Sequence, residues 1–120
     1  MQTVNIAEKL SQFEGTWNPK ILGEVNDSYV KAVKLKGEFV WHHHENEDEL
    51  FLVVRGRLRV DFRDCSVELA PGELLIVPHG VEHRTVADEE VEVLLFEPAG
   101  VRNTGNVEDP ILTAPQAARL

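Results

Sequence analysis

Gly37-Glu38-Phe39-Val40-Trp41-His42-His43-His44-Glu45-Asn46-Glu47-Asp48-Glu49-Leu50-Phe51-Leu52-Val53-Val54-Arg55-Gly56 is the stretch from which the rest of the chain can be read. Successive side chains of a strand point to opposite faces. In Trp41-His42-His43-His44, read as part of a strand Phe39–His44, His42 and His44 therefore share one face and His43 takes the other. Glu45–Asp48 is a polar turn, so Glu49 opens the next, antiparallel strand and can face back toward the two histidines, with Phe51 and Val53 following on the same face. A second hairpin, Pro78-His79-Gly80-Val81-Glu82-His83, offers a further imidazole just past a tight turn. Neutral imidazoles joined by a carboxylate make a good ligand set for a first-row divalent metal; imidazole suits zinc, copper, nickel and iron, and the carboxylate keeps iron and manganese in contention. A bare His-x-His also fits a tag-like or solvated strand, but here it lies inside an apolar run beside Trp41.

Outward from this stretch the pattern is β-like for most of the chain. Short apolar or alternating runs recur at Ser28–Lys36, Phe39–His44, Leu50–Val54, Arg57–Phe62, Val67–Ala70, Leu74–Val77 and Val91–Phe96. Arg57–Phe62 alternates cleanly, which puts Leu58, Val60 and Phe62 on one buried face and leaves Arg57 and Arg59 on an outer one. Turn residues separate the runs at Gly56, Arg63-Asp64, Pro71-Gly72 and Pro78-His79-Gly80, and Cys65 falls in the Arg63–Ser66 turn. Short, evenly spaced strands of this kind predict an all-β sandwich or barrel. Before them, Ile6, Leu10 and Phe13 at i, i+4 and i+7 predict a helix over Asn5–Glu14 that Gly15 can end. The tail from Pro98 to Leu120 carries three prolines and little periodicity, and reads as a loop packed on the surface.

Composition limits the partners. The chain has 120 residues, 42% of them hydrophobic, with 21 acidic and 12 basic side chains and a formal net charge of -9. That balance argues against nonspecific nucleic-acid binding and against docking on anionic membranes, both of which need basic groups. No run is long and apolar enough for a spanning helix, and Met1–Leu10 lacks the pattern of a secretory signal. A single cysteine excludes an intrachain disulfide and any zinc site built from several thiolates. The expectation is a single soluble, cytoplasmic domain. Acids concentrate in Glu45–Glu49 and Asp88–Glu92; each run reads as a solvated turn, the second as a hairpin turn.

The spacing resembles the two motifs of the cupin superfamily. The first motif reads Gly37, His42-x-His44, four residues, Glu49, six residues, Gly56. The second reads Gly72, five residues, Pro78-x-Gly80, two residues, His83. Fifteen residues, Arg57 to Pro71, lie between them, as in small single-domain cupins. Two positions depart from the pattern: four residues rather than five separate Gly37 from His42, and Ala87 stands where the second motif often has Asn. Neither is a ligand.

The resemblance implies a small double-stranded β-helix, or jelly-roll barrel, with a short N-terminal helix. It places the core at about 30–97, a helix and lead-in at 1–20 and an extension at 98–120. It also implies that His42, His44, Glu49 and His83 converge in the barrel mouth on one divalent transition metal (Fe, Mn, Ni, Zn or Cu). Two positions of an octahedral ion then stay open for water or substrate. His43 and His79 sit one position off the ligand pattern. Glu97–Gly105 is similar to the same segment of small phosphomannose-isomerase-like cupins, where it would cover the barrel or contact a partner. A homodimer is expected on the same ground. The function implied is a small metalloenzyme for an oxygenated acid or sugar, of isomerase, lyase or dioxygenase type. The alternatives are a noncatalytic metal- or ligand-binding module and a barrel with a vestigial site. No catalytic residue is assigned; Tyr29, Glu38 and Glu97 are candidates of unknown facing, and Arg84 is a candidate contact for a substrate carboxylate.

Overall fold

The computed structural model describes residues 1–120 and is built almost wholly from strands. In chain order these are β1 (Lys20–Val25), β2 (Ser28–Glu38), β3 (Glu49–Arg55), β4 (Leu58–Phe62), β5 (Ser66–Leu69), β6 (Leu74–Val77), β7 (His83–Pro98) and β8 (Ala118–Arg119), after one helical turn and a half, α1 (Ile6–Leu10). Pairing runs β5-β4-β7-β2-β1-β8, and β3 pairs with both β7 and β6. β1–β8 is the one parallel pair. The result is the all-β jelly roll that the motif spacing implied. No helix is long and apolar enough to cross a membrane.

β7 holds the barrel together. Along one edge it runs beside β2 for nearly its whole length. Along the other, His83–Val86 pairs with β4 and Glu92–Phe96 pairs with β3. Asp88, Glu89 and Glu90 lie exposed between those two pairings, next to a register shift at Leu35/Gly37 of β2. The acidic run is therefore no hairpin turn: it is the stretch where one continuous strand passes from one partner to the other, and charge suits it because that backbone edge faces water.

Inward positions alternate along each strand as the period-2 pattern requires. Val33 and Leu35, Phe51 and Val53, Leu58 and Val60, and Val91, Val93 and Leu95 all join one buried cluster. Phe62 packs against it while staying partly exposed. A second cluster lies outside the sheet, where Leu10 and Phe13 cover Ala32 and Leu94.

The helix is shorter than Asn5–Glu14. Asn5 caps it, accepting from Glu8 N–H at 2.9 Å. The Ser11 hydroxyl then donates to the Glu8 carbonyl at 2.6 Å and the chain turns, because a serine hydroxyl competes for helix carbonyls. Phe13 reaches the sheet from beyond the helix end. Two strands escaped the periodicity reading. Lys20–Val25 is short and broken by Gly23, and β8 is two residues inside an otherwise irregular tail. Phe39–His44 is no strand either; it is extended chain with a single bridge, His42 to His83.

Candidate metal centre

Three backbone devices bring the polar side chains together. His42 and His83 exchange N–H···O bonds at 3.0 and 2.9 Å, which sets their rings 4.4 Å apart centroid to centroid. The Pro78–Gly80 turn returns the chain so that Gly80 N–H donates to the His44 carbonyl at 2.7 Å. Glu49 opens β3 opposite Val77, on the inward face it shares with Phe51 and Val53. Although the histidine segment is not a strand, alternation survives: His42 and His44 are buried while His43 is half-buried on the far side, beside Glu45.

His42, His44, Glu49 and His83 are each at most 5% exposed, and their ligand atoms all lie within 4.8 Å of one another. That span is close to the separation of opposed ligands bound at about 2.1 Å to one ion. The Nδ1 atoms of His42 and His83 face the carbonyls of Val40 and Val81 at 2.9 and 2.8 Å. Only an N–H can donate there, so both Nδ1 atoms carry the proton and both Nε2 lone pairs are free. Glu49 Oε1 stands 3.4 Å from His44 Nε2 and 3.6 Å from His83 Nε2, and both nitrogens are buried without a hydrogen-bond partner. Buried polar atoms are seldom left unpaired. The donor set fits a divalent cation.

Charge in the site agrees. Burial lowers the His42 imidazole to about 4, with the neighbouring His83 adding to the effect. Burial alone would raise the Glu49 carboxyl, but His44 and His83, with a smaller contribution from Glu97, outweigh it and hold the group well below its ordinary range. Glu97 moves the opposite way: burial and the Glu49 charge push it well above that range, against the pull of Lys31. Glu97 Oε2 has no donor of its own, while Oε1 accepts from Lys31 Nζ at 3.1 Å.

The sequence profile of the cupin-domain family matches residues 31–97. The chain belongs to the cupin family. This cupin is similar to a cupin-2 domain containing protein from Shewanella frigidimarina NCIMB 400, at 43% identity and a TM-score of 0.78 over 79% of this chain and 93% of that one. Among curated proteins it is 43% identical over 65 residues to the uncharacterized protein YdbB of Bacillus subtilis (strain 168), covering 53% of this chain and 58% of that protein. It is 38% identical over 71 residues to acireductone dioxygenase 1 of Coprinopsis cinerea, covering 54% of this chain and 38% of that one. The match thus spans 58% and 38% of the lengths of these two curated relatives.

The remaining candidates separate by facing. Tyr29 and Glu97 sit opposite each other on neighbouring inward positions of β2 and β7. Glu38 is exposed and pairs with Arg84 at 3.7 Å. Arg84 is fully occupied elsewhere, bonding Asp61 at 3.0 Å and lying over Trp41, so it does not reach the site. Arg59 likewise binds Asp61, at 2.7 Å. His79 meets exposed Asp48 at 3.1 Å.

An apolar pocket of about 40 Å³ opens beside His42 and Glu49, walled chiefly by Trp17, Leu35, Phe51 and Leu95. Sequence reading missed Trp17 and Lys31. Trp17 lies outside both motifs, at a positive φ of 66°, and stacks on Phe39 at 4.9 Å. Lys31 had a legible signal: its place in the alternation Tyr29, Lys31, Val33, Leu35 puts an ammonium on the inward face.

Proposed function

We propose that this cupin is a small metalloenzyme that holds one divalent transition ion on His42, His44, Glu49 and His83 and acts on a small oxygenated acid or sugar. The observation that carries the reading is the pair of buried, unpartnered Nε2 atoms of His44 and His83 beside a buried carboxylate. A bound ion of this kind supplies Lewis acidity for isomerase or lyase chemistry or, if it is iron or copper, reactivity toward dioxygen. The likeness to an acireductone dioxygenase supports the second branch.

The surroundings favour an acid. The 40 Å³ pocket has room for only a few waters, so it takes the reacting end of a ligand. A cleft of about 370 Å³ adjoins it across Pro19 and Asn103, and there Tyr29, Lys31 and Arg102 offer a phenol and two cations to a carboxylate. One observation supports a second reading, a noncatalytic binding module: apart from His42 and Glu49, the pocket wall contains no acid or base. The protein is read as a homodimer, supported by the apolar outer positions of β6, Leu74 and Ile76, which are 56% and 54% exposed.

Elemental analysis tests the centre. The purified chain should carry one ion, and His42→Ala or Glu49→Ala should empty the site while circular dichroism stays β-rich. Metal content unchanged in both variants would show the ligand assignment to be wrong. Oxygen uptake by an iron- or copper-loaded protein selects the dioxygenase branch, and turnover of hydroxy acids or sugars without oxygen selects isomerase or lyase chemistry. No turnover at full metal occupancy selects the binding module.

A further inference from the structure

The segment that carries His42 and His44 belongs to no sheet, so its position depends on whatever bonds its backbone. On one side stand His83 and Gly80. Backbone groups of successive residues in extended chain alternate direction, so those of His43 face away from His83. Both are taken up by the C-terminal strap. His43 N–H donates to Asn106 Oδ1 at 2.8 Å, and the His43 carbonyl accepts from Asn106 N–H at 3.1 Å. Next to this clasp lies Gly105, at φ +58°. A Cβ there would stand 2.2 Å from the His43 carbonyl oxygen and 3.0 Å from Cδ2 of the His42 ring. No side chain fits, and the strap rests directly on a ligand.

The strap is stiff enough to position what it touches. The Asn103 side chain joins its two limbs, donating to the Leu112 carbonyl at 2.8 Å and accepting from Ala114 N–H at 2.9 Å. Thr104 is fully buried at its centre and bonds Thr113 at 2.7 Å. Asp109 Oδ1 accepts from the backbone of Ile111 and Leu112. Beyond, β8 and the bond from Leu120 N–H to the Ile21 carbonyl fasten the end to β1. It is a compact loop packed by its own side chains, a class that frequently serves function.

We infer that Gly105 and Asn106 are positioning residues for the metal centre, acting through His43 to fix the spacing and ring orientation of His42 and His44. The inference rests on the ligand assignment proposed above. It gives His43 a role that its side chain does not have: its backbone is the bonded link between strap and ligands. It also accounts for the glycine at 105 by the closeness of the strap to the barrel mouth.

Titration of the full metal-free chain with Co²⁺ is the test, read both as affinity and as the visible d–d spectrum, which reports coordination geometry. Asn106→Ala and Gly105→Ala should each weaken Co²⁺ binding about 10- to 100-fold, the usual effect of removing a group that orients a ligand, and should alter the spectrum. Asn106→Asp keeps the Oδ acceptor and should restore both. Thermal melting of the metal-free variants checks that they fold, and if Gly105→Ala does not, Asn106→Ala decides. In that metal-free protein, amide exchange at His43 should accelerate in Asn106→Ala. Wild-type affinity and spectrum in the folded variants would overturn the inference while leaving the metal centre standing. A wild-type chain that takes up no Co²⁺ would overturn the ligand assignment and the inference together.

Discussion

Asp61 is 6% exposed, yet it is a carboxylate on a barrel wall. It is tolerated because it is saturated: Arg59 Nε at 2.7 Å, Arg84 Nε at 3.0 Å and Ser66 Oγ at 2.8 Å all donate to it. Arg59 foremost, with Ser66 and Arg84, holds its carboxyl well below the ordinary value of 3.8, against burial that would raise it. A carboxyl depressed in the folded state binds fewer protons there than when unfolded, so its contribution is present above about pH 4 and lost as pH falls further. Asp61→Asn should therefore lower Tm by several degrees at pH 7, and the gap from wild type should narrow below pH 4. Parallel melts across pH would check this; a gap independent of pH would mean that packing, not charge, makes Asp61 useful. The same logic separates buried acids by their neighbours. His44 and His83 hold Glu49 below the ordinary carboxyl range against its burial, whereas burial and the Glu49 charge push Glu97 above it.

Among the elements, the turn after β3 packs directly against β7. Gly56 has φ +92°, and a Cβ there would meet the Glu90 carbonyl oxygen at 3.1 Å and Val91 Cα at 3.2 Å. Those neighbours belong to β7 at the point where it passes between partners, so they are backbone and cannot swing aside. Gly56→Ala should destabilise the fold by about 1–3 kcal/mol, read by denaturant unfolding, since strained φ and a close contact add. An unchanged midpoint would show that the turn relaxes freely. Gly37 also has a positive φ but open space around it, so only its backbone geometry resists substitution. The motif glycines thus share a conformation while differing in what packs on them. Spacing in the sequence shows the first property and not the second.

For the whole molecule, β6 is an edge strand bonded only to β3, and Leu74 and Ile76 present apolar surface there next to Phe96, itself 36% exposed. Exposed apolar edges invite pairing with another chain. The proposed homodimer would bury this edge, and Ile76→Glu should shift the protein to monomer in analytical ultracentrifugation with the metal content unchanged. A wild-type monomer, or a dimer indifferent to Ile76→Glu, would exclude this face.

How much could be read in advance follows from which interactions are local. Period-2 alternation placed Leu58, Val60, Phe51 and Val53 on inward faces because the strand pleat alone decides facing. Motif spacing implied, by resemblance, that His42, His44, Glu49 and His83 come together; the contacts that close the cluster, His42 with His83 and Glu49 opposite Val77, join distant parts of the chain. Chain length and charge pattern failed where partners are distant. Asp88–Glu92 reads as a turn but rides in the middle of β7, since only pairing with β3 and β4 reveals one continuous strand. Lys31 and Glu97 lie 66 residues apart and meet only across the β2–β7 ladder. Gly105 and Asn106 lie beyond the family motifs, and no periodicity connects them to His43. The sequence by itself determined the inward and outward faces of the strands, through alternation and turn chemistry that act over a few residues, and its motif spacing implied the barrel and the His/Glu cluster by resemblance. Tertiary structure alone decided that Glu49 and Glu97 shift in opposite directions and that the C-terminal segment closes on His43, because burial and long-range hydrogen bonds exist only once the chain has folded.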